Sequence, residues 1–245
     1  MSETLAIIII GQIRTFDSTY LSFKKIINIF KKKFINIVIF FYISCYATYD
    51  WHYALIEKNT GLCKNDAKNI VTSYEWTKDK FKNKLSDIEC EYIIEFKDTF
   101  IGHNVIKIQF YDICYVLNMI TQYEISNNMS FNYIFKTRCD IIYPDDLDNN
   151  IFETNTLYKT WDLVYTFSRE ISKIIETNKD IAYNNMESEV IEVENSNLPN
   201  EEKSKKICDI KHHIIPTYLK NNNIQINNII VPSGLCCKIL KMIEF

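Results

Sequence analysis

An α/β sandwich around a mainly parallel central sheet is what this sequence predicts, and three observations predict it. Apolar, β-rich runs alternate with helix-spaced segments along residues 4–143, the order that βαβ units produce. The runs are apolar at successive positions rather than at every second one, as strands covered on both faces require. Gly and Pro number only four each in 245 residues, and Gly11 and Pro144 fall where the first and fourth runs end.

Residues 4–10 (TLAIIII) read as the first strand, with Gly11 at its exit. Tyr20, Phe23, Ile26, Ile27 and Phe30 then recur at helical spacing. Asp17 or Ser18 is the expected N-cap, and Lys31-Lys32-Lys33 the solvated end. Residues 34–43 (FINIVIFFYI) read as a second buried strand, 60–86 as a ragged amphipathic helix and 90–96 (CEYIIEF) as a third strand. Residues 104–126 carry a broad apolar stripe from Ile108 to Tyr123 and predict a long helix. Residues 131–143 (FNYIFKTRCDIIY) predict a fourth strand that Pro144 stops.

Beyond residue 150, WDLVYTF (161–167) reads as a strand. Residues 168–177 read as a helix capped by Ser168, with Glu170 in its first turn. The acidic, polar stretch 185–206 predicts a mobile surface loop. Residues 206–223 suggest a helix containing Pro216 or restarted at it, and IQINNIIV (224–231) a last short strand.

The length suits one domain over residues 1–245. A formal net charge of -3 gives no electrostatic reason to expect a nucleic-acid partner. The eight cysteines are scattered and form no CxxC, which points to free thiols in a reduced, cytoplasmic setting. The apolar runs LAIIII and FINIVIFFYISCYA are shorter than the ~20 residues of a membrane-spanning helix, and the first lacks a basic flank. Neither a membrane span nor a targeting segment is expected.

Ligands of open α/β sheets bind beyond the carboxyl ends of the strands, and two motifs fall there. GQIRTF (11–16) has neither the glycines of a dinucleotide fingerprint nor the GK[ST] of a P-loop. Gly11 still permits a tight turn and close backbone approach. Arg14 at the helix entrance is a candidate diphosphate clasp, against the plainer reading of a surface arginine. In RCD (138–140), Asp140 is a candidate ligand for Mg²⁺ or Mn²⁺, hard cations that draw other ligands from water and substrate phosphates. The alternative is an Arg138–Asp140 ion pair on one strand face. Asp162 is the preferred candidate general base, because Glu170 has a helix-terminus role. Asp145 and Asp146 read as turn residues. His212 and His213 are adjacent, so a helix would aim only one at any site. HExxH and GxSxG are absent.

Taken together, IIIIGQIRTF, the long helix from Gln109 to Tyr123-Glu124, and YIFKTRCDIIYP resemble a GT-A-like glycosyltransferase family of large DNA viruses and bacterial polysaccharide clusters. That family opens on a GQxR turn and carries RxD in place of DxD; TWDLVYTFSREISKI resembles its later strand and helix. The resemblance spans roughly residues 4–177. It implies a Rossmann-like GT-A domain with a nucleotide-sugar-binding half (1–150) and an acceptor-side half (151–245). It implies transfer of a sugar from a nucleotide-diphosphate sugar to a hydroxyl acceptor such as a glycan. Gly11, Gln12 and Arg14 would lie against the nucleotide, and Arg138 and Asp140 at the diphosphate and metal. A nucleotidyltransferase and a non-catalytic nucleotide-sugar-binding module are the alternatives.

Overall fold

The computed structural model of the protein describes residues 3–13, 16–45, 76–97, 105–139, 141–143, 147, 151–160 and 164–228. Its elements are β1 (Thr4–Gln12), α1 (Phe16–Phe30), β2 (Asn36–Ser44), α2 (Lys78–Lys84), β3 (Glu91–Phe96), α3 (Val105–Asn127) and β4 (Tyr133–Thr137). There follow β5 (Thr156–Thr160), β6 (Val164–Ser168), α4 (Arg169–Thr177), α5 (Lys179–Asn195), α6 (Asn200–His212), α7 (Ile214–Asn221) and β7 (Gln225–Asn228). Among the described residues the strands form one seven-stranded sheet, ordered β3-β2-β1-β4-β6-β5-β7. β6 alone runs against its neighbours; all the other pairings are parallel.

The alternation of side chains along β1 builds the two layers. Leu5, Ile7 and Ile9 enter a core with Phe16, Phe23 and Phe30 of α1 and Phe81 of α2. Ala6, Ile8 and Ile10 enter a second core with Ile113, Leu117 and Ile120 of α3 and with residues of α4, α5 and α7. Leu5 through Ile9 have no exposed surface. At ~1.5–3 kcal/mol for each fully buried Leu or Ile, this strand alone supplies much of the drive to collapse.

Polar groups fix α3 and α4 to the sheet. β3 lies at one edge of the sheet among the described residues, and on its α3 side Tyr123 donates to Glu91 (2.8 Å), Tyr115 to Glu95 (2.8 Å), and Lys97 to Asp112 (2.7 Å). At the carboxyl end of α3, Arg169, only 2% exposed, opens α4. Its Nε lies 3.1 Å from both Glu124 oxygens, its Nη2 reaches Glu124 Oε2 at 3.0 Å and Thr121 at 2.6 Å, and its Nη1 donates to Ser172 and Glu176. Burial would weaken the guanidinium's hold on its proton, but Glu124 and Glu176 outweigh it and hold its pKa above the ordinary value.

Several expectations need correction. The fourth strand ends at Thr137 rather than running to Tyr143, because the following chain finds partners on α1. Thr19 donates to the Cys139 carbonyl, and Tyr143 N donates to Ser22 Oγ at 2.8 Å. Residues 185–206 are no loop: they belong to α5 and α6, joined at Ser196–Pro199. Glu, Lys and Met favour helix, and Ala182, Tyr183, Met186 and Val190 bury one narrow stripe. α1 begins at Phe16, so Asp17 lies in its first turn and pairs with Lys80 (3.2 Å) and Lys84 (3.1 Å) of α2 instead of capping. β5 was not expected. Within the predicted helix 60–86, α2 covers Lys78–Lys84 and residues 46–75 lie outside the described residues. The Ser168 cap is as expected, accepting from Ile171 N. The 206–223 helix breaks at His213, with Pro216 in the first turn of α7, where a missing N–H costs nothing.

Replacing Arg169 with Ala leaves two carboxylates buried against each other without their cation. Urea unfolding should show a loss of ~3–5 kcal/mol, whereas Lys173→Ala on the same helix should change stability by under ~0.5 kcal/mol.

Candidate site at the carboxyl edge of the sheet

The site follows from where neighbouring strands part. β1 pairs with β4 only as far as Ile9 opposite Thr137, whereas on its other side it stays paired with β2 out to Gln12 opposite Ser44. Ile13 N then donates to Ser44 O at 3.1 Å. β4 leaves the sheet after Thr137 while β1 continues, and the crossover that leaves β1 through α1 packs on the opposite face from the one that reaches β4 through α3. That is a topological switch point, where open α/β sheets bind ligands.

Gly11 stands on one side of this opening with φ +119°, backbone that L side chains rarely adopt. Nothing lies within 4 Å of where its Cβ would be among the described residues. The glycine is therefore demanded by conformation, and the described residues leave space beside the strand end. Arg138 stands on the other side, half-buried, directly after β4. The chain beyond it is held down by the two α1 hydroxyls and by burial of Cys139, Ile141 and Tyr143 in the α1-side core. Thr137 and Tyr143 also share a hydrogen bond through their hydroxyls. Of the other sequence candidates, Arg14, Asp140 and Asp162 lie outside the described residues, as do Asp145 and Asp146, and Gln12 is described only as the last residue of β1. Arg138 follows the end of β4, and the ion pair with Asp140 read from the sequence falls outside the described residues.

The reversal of β6 matters here. Because Lys136 opposes Tyr165 and Thr160 opposes Val164, β6 enters the sheet at the same carboxyl edge. A parallel strand would have entered at the opposite edge. His213, by contrast, lies at the α6–α7 junction, its Nδ1 2.8 Å from the Asp209 carbonyl, a local helix-end role.

Sequence reading missed a polar cluster farther along this edge. Lys97 Nζ lies 2.7 Å from Asp112 Oδ1 and 5.5 Å from the Tyr42 ring centroid, and Tyr42 packs on Tyr115 with centroids 4.8 Å apart. Asp112 is 5% exposed, and its Oδ2 accepts no hydrogen bond among the described residues. Burial holds the Asp112 carboxyl above its ordinary pKa against the opposing pull of Lys97. The Tyr42 hydroxyl is pushed up to about 12 by burial first, then by Asp112, Glu95 and Tyr115. Nothing in the sequence signals the cluster, because its members come from the ends of β2 and β3 and from α3.

Neither a scan against protein-family models nor a search of the curated proteins finds a match for this chain. What fold and edge geometry define is a class: an α/β protein with a mainly parallel, mixed sheet, compatible with a Rossmann-like fold and opened at its switch point. No helix among the described residues is long and apolar enough to cross a membrane.

Gly11→Ala should destabilise by ~1–3 kcal/mol through backbone strain alone, since the space is there; thermal unfolding measures it. For Asp112, a folded pKa above the unfolded one means stability that is full below about pH 4 and lost as pH rises through the folded value. Relative to Asp112→Asn, the natural protein should therefore lose melting temperature as pH rises above about 4.

Proposed function

We propose that the protein is a GT-A-like glycosyltransferase that binds a nucleotide-diphosphate sugar at the switch point and transfers the sugar to a hydroxyl acceptor. The observation that carries this reading is the parting of β1 and β4, with Gly11 at φ +119° on one side and Arg138 on the other. A glycine backbone with open space beside it lets a flat, charged ligand approach. A guanidinium across from it suits a diphosphate, which it can grip with paired N–H groups. Support for a form other than the 3-2-1-4-5-6 dinucleotide fold comes from β6, reversed and inserted between β4 and β5.

In the proposed reaction an acceptor oxygen attacks the anomeric carbon, its bond to that carbon forms, and the bond from the carbon to the diphosphate breaks. Arg138, with Arg14, stabilises the negative charge that gathers on the departing diphosphate. Asp162 takes the acceptor proton if the anomeric centre inverts; in sequence it comes two residues before β6, the strand that starts at this edge. Among the described residues no three His, Cys, Asp or Glu side chains gather to cage a metal. Asp140, read from the sequence as the metal ligand, would hold Mn²⁺ or Mg²⁺ together with the donor's phosphates and water, a common arrangement for Mg²⁺, and the cation would neutralise charge on the leaving group.

A thermal-shift series with nucleotide sugars, with and without Mn²⁺, tests the reading. One donor should raise the melting temperature, more so with the cation, and Arg138→Ala should weaken that donor by about tenfold or more. A shift with nucleoside triphosphates and none with any sugar nucleotide would favour a nucleotidyltransferase. Donor binding without turnover would favour a non-catalytic binding module.

A further inference from the structure

α1 and α2 cover one face of the sheet, and the outer side of this layer is rich in positive charge. α1 with the three residues after it carries five lysines and one aspartate, and α2 carries four lysines and one aspartate. That Asp17 of α1 is shared between two lysines of α2, Lys80 at 3.2 Å and Lys84 at 3.1 Å. Asp87 and Glu89, between α2 and β3, reach Lys24 and Lys31. On the other layer the balance is reversed, since α5 carries one lysine and five carboxylates. A chain of net charge -3 thus presents one positive side, and the local sign decides what docks there.

The same side exposes apolar bulk. Burial of Phe16, Tyr20, Phe23, Ile27 and Phe30 turns the remaining positions of α1 outward, and Leu21 among them is 76% exposed. Lys24 and Lys25, three and four residues on, are its neighbours on the helix surface. Ile35, two residues before Ile37 of the α1-side core, is 71% exposed. These are the two highest exposures among the described large apolar side chains. A nucleic-acid backbone attracts the lysines but does nothing for a leucine. A bilayer with anionic headgroups suits both, because ammonium groups reach the headgroups while aliphatic side chains between them enter the acyl boundary.

We propose that the α1–α2 face is a peripheral docking surface for an anionic lipid bilayer, held by its lysines and anchored by Leu21. The surface does not rest on the glycosyltransferase reading. The chain lies on such a bilayer rather than across it. Because a face of the sheet docks and not its carboxyl edge, the switch point stays open to ligands.

Sedimentation of the full chain with vesicles of phosphatidylcholine, alone or with about one-third phosphatidylserine, tests the surface. The expected result is binding to the anionic vesicles only, mostly lost as salt rises toward ~1 M, where the Debye length falls to ~3 Å. Lys32→Gln combined with Lys82→Gln should weaken binding about twenty-five-fold, at about fivefold for each lysine brought to such a surface. Leu21→Ala should weaken it about threefold or more. Lys205→Gln combined with Lys206→Gln, on α6 of the other layer, should leave it within about twofold. All these side chains are exposed, so each variant should melt with the natural protein. A DNA duplex should not displace the chain from the vesicles. Equal binding to both vesicles, binding to neither, no response to Leu21→Ala or to the Lys32 and Lys82 pair, an equal loss from the α6 pair, or displacement by the duplex overturns the proposal.

Discussion

β1 must be buried on both faces, and most of the architecture follows from that requirement. A strand whose side chains from Leu5 to Ile10 are apolar in both directions is stable only with a helical layer above and another below. α1 and α3 supply those layers, one from each side. The crossovers that deliver them leave β1 toward β2 and arrive from β3 at β4, so the strands flanking β1 are served from opposite faces. The gap at their carboxyl ends is thus a by-product of covering an apolar strand twice.

Charge is placed with equal economy. The Arg169 guanidinium satisfies two glutamates, a threonine and a serine at once, and Glu124 also accepts the Phe131 amide at 2.9 Å. Such a network contributes little net energy compared with an apolar replacement. It does force the end of α3, the start of β4 and the start of α4 into one arrangement. At the other end of the sheet, the hydroxyls of Thr19 and Ser22 act similarly on the chain after β4, so the residues flanking the opening are held at both ends of their segments.

Much of the first half was legible from side-chain pattern. The runs 4–10, 34–43 and 90–96 correspond to β1, β2 and β3 within a residue or two, and the stripe from Ile108 to Tyr123 lies within α3. Pattern failed where partners were remote. Thr137 is the last residue of β4 only because α1 hydroxyls capture the next segment, and no local signal announces that. The 185–206 stretch was misread because charge was weighed above helix propensity; two helices sharing a thin apolar seam need few apolar residues. Of the site, Gly11 and Arg138 were legible as strand-end residues, and the structure puts them on either side of the opening. The Lys97–Asp112 pair was not, because it comes from helix-on-strand packing.

The alternation along β3 carries one more implication. Tyr92, Ile94 and Phe96 pack against the aromatic core, while Glu91, Glu95 and Lys97 meet Tyr123, Tyr115 and Asp112. A slip of one position against β2 would drive three charges among Phe41 and Phe81 and strand three tyrosine- or carboxylate-bearing partners on α3. Border strands with uniform apolar faces tolerate such errors and recruit strangers. This one admits a single alignment, so the polar ladder acts as a proofreading device for the outermost pairing.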